Sequence, residues 1–177
     1  MRLVPASVEH KPDLDFIEKL YIESFPANER RPVPELYDLI ENEDVFTAFV
    51  VLNEDSERIG FLTYWNLDGF VYAEHFAISP EFRNGGNGAK IMISFLNHFT
   101  VPVILEVEAP TSETAKRRIG FYERLGFKLW NFDYVQPPYG KDLEPVPMKL
   151  MSYREIDLDK NYEEIKTQLY TRVYKVT

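Results

Sequence analysis

The chain has 177 residues, of which 45% are hydrophobic and 15% aromatic; it has no cysteine and a formal net charge of -9. Length and apolar content suit one packed core and leave little room for a second complete domain. The lack of cysteine excludes disulfides, thiolate nucleophiles and cysteine-based zinc sites, and the acidic balance argues against nucleic acid as a partner and in favour of a cationic amine. No run approaches the ~20 apolar residues of a membrane span, and the opening MRLVPASVEHKPDLDFIEKL carries charges where a signal peptide needs an apolar stretch. A soluble, unexported, cytoplasmic protein with no membrane contact is expected.

Leu14, Ile17, Leu20 and Tyr21 fall at helical spacing, and Leu36, Leu39 and Ile40 resume it after the proline-bounded loop from Phe25-Pro26 to Arg31-Pro32. Two short helices follow. Three β-branched and aromatic runs, Val45 to Leu52, Ile59 to Leu67 and Phe70 to Ile78, predict an antiparallel meander. The last two are joined by Asp68-Gly69, a pair suited to a type I′ hairpin turn.

Ser79-Pro80 ends the third strand, and Arg83-Asn84-Gly85-Gly86-Asn87-Gly88 leads into the apolar stripe Ile91, Met92, Phe95, Leu96 and Phe99 of an amphipathic helix. Val101 to Val107 predicts another strand. A helix from about Ser112 carries Ala115, Ile119, Tyr122 and Leu125 on one face, with Ser or Thr as its cap and Gly126 as its terminator. Phe127 to Val135 and Val146 to Met151 predict the last strands, around a loop of Gln136-Pro137-Pro138-Tyr139-Gly140. Tyr162, Ile165, Leu169 and Val173 predict a terminal helix. The expected organisation is a core over residues 1–153 and a helical extension over 154–177, packed on the core or swapped.

The glycine-rich turn has three readings as a nucleotide loop. A Walker loop needs Gly-Lys followed by Ser or Thr, but Gly88 is followed by Ala89-Lys90-Ile91; the third glycine of the dinucleotide fingerprint would fall at Ile91. What remains is Arg83-x-x-Gly86-x-Gly88 between a strand and a helix, which resembles the pyrophosphate-binding turn of the GNAT family. A second stretch, Ala115 to Phe127 with Tyr122-x-x-x-Gly126-Phe127 at its end, resembles another recurrent segment of that family. The likeness runs from about residue 1 to 151. It departs at Ala115, where many members carry Asn and a contact to coenzyme A. Taken alone, the glycines are equally consistent with a plain surface turn.

The resemblance implies an α/β fold with a mixed, splayed central sheet flanked by helices, and an N-acetyltransferase that uses acetyl-CoA without a metal. Coenzyme A is then expected against Phe76, Ala77 and Ile78 of the strand and Arg83, Asn84, Gly85, Gly86, Asn87, Gly88 and Ala89 of the turn, where glycines let the backbone close around a diphosphate and the helix presents its N-terminal amides. In the implied mechanism a neutral amine attacks the thioester directly. A backbone N–H polarises the carbonyl, and Tyr122 is expected to protonate the departing thiolate.

Most aliphatic amines arrive protonated, so a proton acceptor is needed. Period-two alternation places Glu74, Phe76 and Ile78 on one strand face and Glu106 and Glu108 on one face of the next core strand. Glu74 is the first choice of base and Glu106 the second, with a solvated charge or an ion pair as the plain alternative for each. The same alternation sends His75 to the opposite face, as a packed histidine bonded to backbone. Arg83 either shapes the turn or pairs with Glu81. The loop from Phe25-Pro26 to Arg31-Pro32, with Phe25, Glu29 and Arg30, and the loop from Gln136 to Asp142, with Tyr134 and Tyr139, are expected to wall the acceptor pocket. Two other classes stay open: a coenzyme A-binding module with weak or no catalysis, and an interaction domain or homodimer using the C-terminal helix.

Overall fold

The computed structural model describes residues 1–140 and 142–176. Lys141, inside the predicted loop 136–142, and Thr177, the last residue of the predicted extension, lie outside the described residues. Helices α1 (Lys11–Ser24) and α2 (Val33–Asn42) bury Leu14, Ile17, Leu20 and Tyr21, and Leu36 and Leu39, as their periodicity predicts. Strands β2 (Phe46–Leu52), β3 (Arg58–Leu67) and β4 (Phe70–Ile78) form the antiparallel meander. Helix α3 (Asn87–Leu96) follows the glycine turn, and β5 (Val103–Glu108) leads to α4 (Glu113–Arg124). Ser112 caps α4 by accepting from the Ala115 amide at 3.0 Å, and Gly126 terminates it at φ +95°. After β6 (Phe127–Leu129), β7 (Tyr134–Gln136) and β8 (Val146–Tyr153), the chain ends in α5 (Leu158–Gln168) and a π turn over Leu169–Val173.

The described strands form one mixed sheet in the order β1-β2-β3-β4-β5-β8-β6, with β7 also on β8 and β4–β5 as its parallel pair. Strand β1 (Arg2–Pro5) is an edge strand on β2 that the pattern did not reveal, being only four residues long. The predicted strand from Phe127 to Val135 is in fact β6 and β7. Regular pairing ends at Leu129; the Trp130 amide still donates to the Leu150 carbonyl at 2.9 Å, while its side chain is buried to 1% exposure and donates from Nε1 to Ser152 Oγ at 2.9 Å. The 68–69 turn is not type I′: Gly69 has φ +84° but Asp68 has no positive φ. Gln168 of α5 accepts from the Asp68 amide at 3.1 Å and donates to its carbonyl at 3.2 Å, a clamp invisible to local turn chemistry.

Each sheet face covers its own core. Phe70, Tyr72 and Ala77 of β4 pack with α1, α2, Trp130 and the C-terminal Tyr162, Ile165, Leu169, Val173 and Tyr174. Val71 and Ala73 pack with α3, Ile119 of α4 and Phe127. Two features of β4 set up the site. Its pairing with β5 covers only Val71–Ala73 against Val103–Leu105, so the strands part beyond Ala73 and, among the described residues, the β4 backbone from Glu74 to Ile78 has no strand partner on that side. A bulge against β3, where Thr63 pairs with His75 but Tyr64 with Ala73, inserts Glu74 as an extra residue.

Candidate active site

The bulge resets the alternation of β4. Glu74 and His75 both turn toward α1 and the C-terminal segment, whereas Phe76 and Ile78 turn toward α3. The expectation that Glu74, Phe76 and Ile78 share a face, with His75 opposite Glu74, is therefore corrected: a two-residue period does not survive an inserted residue. His75 is packed and bonded to backbone, with Nε2 3.0 Å from the Glu29 carbonyl. It is also 3% exposed and in the same cavity as Glu74. Since a carbonyl only accepts, Nε2 carries the proton.

The parted strands open a cavity of about 750 Å³ that runs from the glycine turn, along β4, to a cluster of acidic and aromatic side chains. At the first end lie Arg83, Asn84, Gly86, Gly88 and Ala89, joined by Arg118, Phe121, Tyr122 and Arg124 of α4. Asn84 and Gly86 have φ of 65° and 75°, a left-handed kink that aims the start of α3 at the cavity. Gly86 offers no side-chain cap, so the first amides of α3 are not capped by it. A Cβ on Gly88 would stand 3.3 Å from Ile78 Cδ1 and 3.5 Å from Phe121 Cζ, so the floor of the turn has little spare room and a larger side chain would press on Ile78.

Gly85 and Asn87 do not line the cavity; Asn87 donates to the Phe82 carbonyl at 2.9 Å and braces the turn from behind. Arg83 does not pair with Glu81 but donates from Nε to the Ile78 carbonyl at 2.8 Å, tying the turn to the end of β4. An open cradle of glycine backbone, uncapped amides and the arginines Arg83 and Arg124, with Arg118 beside them paired to Glu108 at 3.2 Å, fits an anionic diphosphate ligand. Phe76, Ala77 and Ile78 line the middle of the cavity. Tyr122 faces it too, and burial pushes its phenol up to about 12 although Arg118 pulls the other way.

Two carboxylates at the far end stand in opposite environments. Glu74, the first-choice base, is ion-paired to Arg31 and also accepts from Trp65 Nε1 at 3.1 Å and Tyr139 Oη at 3.0 Å. Burial opposes its charge, but Arg31 and His75 overcome this and hold the carboxyl well below the usual range. That makes Glu74 a structural anion and a poor proton acceptor. Glu106 has no cationic partner among the described residues. Burial pushes it up to about 7, against hydrogen bonds from Tyr134 at 2.5 Å and Tyr174 at 2.8 Å that favour the anion.

The predicted acceptor residues divide. Phe25, Glu29 and Tyr139 line the cavity, and burial raises the Glu29 carboxyl. Tyr134 is not on the wall but acts on Glu106 from behind. Arg30 is absent from the wall, its Nε donating to the Phe25 carbonyl at 3.1 Å. Its neighbour Arg31 also stays off the wall but turns inward behind it to Glu74, 5% exposed, with its guanidinium 4.7 Å from the centre of the Tyr139 ring and 5.3 Å from that of Trp65. Nothing in a run of two arginines between prolines tells which one turns inward. Gln136, in the second predicted wall loop, lines the cavity, whereas Tyr72 on the wall and Tyr174 behind Glu106 were missed because they read as ordinary core positions. Among the described residues no group of three or more His, Asp or Glu is arranged to hold a metal ion.

Comparison with known proteins bears on this geometry. Residues 46–129 match the model of the acetyltransferase (GNAT) domain. Among solved structures, a Bacteroides thetaiotaomicron protein assigned to the GNAT acetyltransferases is similar over 100% of both chains, with 41% identity and a TM-score of 0.96. Spermidine/spermine N-acetyltransferase SpeG from Vibrio cholerae shares the fold at 19% identity and a TM-score of 0.62, over 93% of this chain and 95% of that one. A chimera of the Vibrio cholerae spermidine enzyme gives 18% and 0.66 over 86% and 96%. No curated protein matches the sequence. With full-length similarity at that identity, and the parted β4–β5 pair beside a glycine turn, the chain belongs to the GNAT family of acetyltransferases and is an acyltransferase enzyme.

Proposed function

We propose that the protein transfers the acetyl group of acetyl-CoA, the co-substrate of its family, to a primary amine that enters from the acidic end of the cavity. The observation that carries this reading is the continuity of one cavity from the glycine turn to Glu106, past the unpaired backbone of β4. The first amides of α3, with Arg83 and Arg124, would hold the diphosphate, and the β4 backbone over Glu74–Ile78 would hold the thioester end. Bound there, acetyl-CoA supplies an activated acyl group.

The chain's own residues then handle protons and charge. A carboxyl with a pKa of about 7 is divided between its two forms at neutral pH, so Glu106 can take the proton that an ammonium must lose before it attacks. An unpaired β4 amide offers a hydrogen bond to the carbonyl oxygen as it gains charge. Tyr122, protonated throughout the neutral range, is placed on the cavity wall to protonate the thiolate that leaves. Glu23 and Glu29 at the acceptor end favour a cationic amine.

The related fold of spermidine acetyltransferases makes polyamines the first acceptors to try. The test is release of free thiol from acetyl-CoA in the presence of polyamines, aminoglycosides, amino acids and peptides. Thiol release that depends on one class of amine is expected. Retention of acetyl-CoA with no release across the whole set would favour the second reading, a coenzyme A-binding module. We further propose that residues 1–153 and the extension 154–177 act as one unit, since Tyr174 reaches Glu106.

A further inference from the structure

We infer that Tyr174, delivered by the π turn at the C-terminal end of the chain, is a positioning residue that orients the Glu106 carboxylate and sets the pH at which it accepts a proton. The inference rests on the reading of Glu106 as the proton acceptor and adds a residue outside the stretch 46–129 that matches the family's domain model. Tyr174 is 6% exposed, and its hydroxyl lies 2.8 Å from Glu106 Oε2 and 3.1 Å from the Tyr72 hydroxyl. A phenol has one proton to give. Because the carboxylate oxygen only accepts, Tyr174 donates to Glu106 and Tyr72 donates to Tyr174. Tyr134 donates to the other oxygen, Oε1. Both oxygens of Glu106 are thereby fixed in direction.

The backbone makes this reach through an unusual turn. The Tyr174 amide bonds the Leu169 carbonyl at 3.0 Å, five residues back, a π pattern that is rare and recurs at functional positions. The same turn presents the Val173 carbonyl to Arg31 Nη1 at 3.1 Å, so one segment holds both the Arg31–Glu74 pair and Glu106. Leu169 and Val173 are 0% exposed and anchor the turn in the core.

The groups that face Glu106 are Tyr72 and Glu74 from β4, Tyr134 from β7, Tyr139 from the following loop, and Tyr170 and Tyr174 from the C-terminal segment. Glu74, compensated by Arg31, disfavours a second anion, and the phenols of Tyr134 and Tyr174 favour it, with Tyr72 behind Tyr174. Removing one phenol from a buried carboxylate shifts the balance toward the neutral acid. Tyr174→Phe should therefore raise the Glu106 midpoint by roughly one pH unit, the scale of one hydrogen bond to a charged group.

The midpoint can be read in the free protein by 13C NMR titration of labelled glutamate carboxyls, with Glu106→Gln to assign the signal. Tyr162→Phe removes a phenol hydrogen bond to the Asp133 carbonyl from the same C-terminal segment without touching Glu106, and should leave the midpoint where it is. If Tyr174→Phe folds poorly, 3-fluorotyrosine at position 174, nearly isosteric and a better donor, should move the midpoint down. In turnover, the loss in Tyr174→Phe should be largest near pH 6, shrink toward pH 9 and fall on kcat more than on KM. A midpoint unmoved in the position-174 variants, moved equally by Tyr162→Phe, or a loss that is the same at every pH would overturn the inference. Full turnover in Glu106→Gln would instead overturn the reading of Glu106 as base, while the NMR coupling to Tyr174 would still stand or fall separately.

Discussion

Glu74 and Glu106 stand on neighbouring strands in one cavity, and their partners separate their chemistry. A guanidinium on Glu74 fixes a charge, whereas phenols around Glu106 supply hydrogen bonds without countercharge, leaving its pKa near 7. If Glu106 accepts the amine proton, kcat/KM rises as pH rises through about 7 and levels above it, because only the anion is a base. Glu106→Gln should then lower kcat by about 10²- to 10⁴-fold with acetyl-CoA affinity nearly unchanged, measured by thiol release and calorimetry. The same carboxyl also bears on stability. Its folded pKa lies above the unfolded value, so the folded state binds the proton more tightly, and stability present below pH ~4.5 is lost as pH rises through about 7. Chemical denaturation should show Glu106→Gln gaining on the wild type by about 1–3 kcal/mol between pH 5 and pH 8; no pH-dependent gain would contradict the raised pKa. Both carboxylates were visible in the sequence as strand residues. Their ranking was not, because it depends on Arg31, which arrives from a loop 43 residues before Glu74.

The meander, the glycine turn and the two helices behind it were legible because each follows from local pattern: β-branched runs, a change of hydrophobic period, a Ser cap and a closing glycine. The bulge in β4 was not, since an inserted residue leaves no mark in a run as uniformly apolar as Phe70 to Ala73 and only the ladder with β3 reveals it. Local pattern also missed β1 and the break at Trp130, both set by tertiary packing. The bulged strand has a second dependence on β3. A Cβ on Gly60 would stand 2.6 Å from the Ala77 carbonyl oxygen, a backbone atom with no room to retreat. Gly60→Ala should therefore displace β4 at Ala77, costing about 1–3 kcal/mol in denaturant melts and raising KM for acetyl-CoA. A variant with wild-type stability and KM would show that β4 tolerates the shift.

Across the cavity Arg83 and Arg124 line the wall with the glycine turn, Glu23, Glu29 and Glu106 line it toward the acceptor end, and Arg118 lies between, paired with Glu108 at 3.2 Å and acting on Glu29. A chain with a net charge of -9 thus keeps two arginines where an anionic donor would bind and acidic groups where a cationic amine would enter. Raising ionic strength from about 0.05 M to about 0.5 M should raise KM for a dicationic amine several-fold while kcat changes little, because entry is screened and buried chemistry is not. Composition pointed to a cationic partner but could not show that Val173 and Tyr174 pack against this end. Tyr174 and Val173 lie beyond the stretch in which motifs could be recognised. Acetyl transfer as proposed requires the turn from Arg83 to Ala89 to anchor the acyl donor beside β4, and calorimetric titration of acetyl-CoA into the wild type and Gly88→Val decides whether it does. Saturable binding with Kd below about 1 mM, weakened at least about tenfold by a side chain at Gly88 while the protein stays folded, is the predicted result. No binding at millimolar acetyl-CoA, or equal binding by the two proteins, would contradict it.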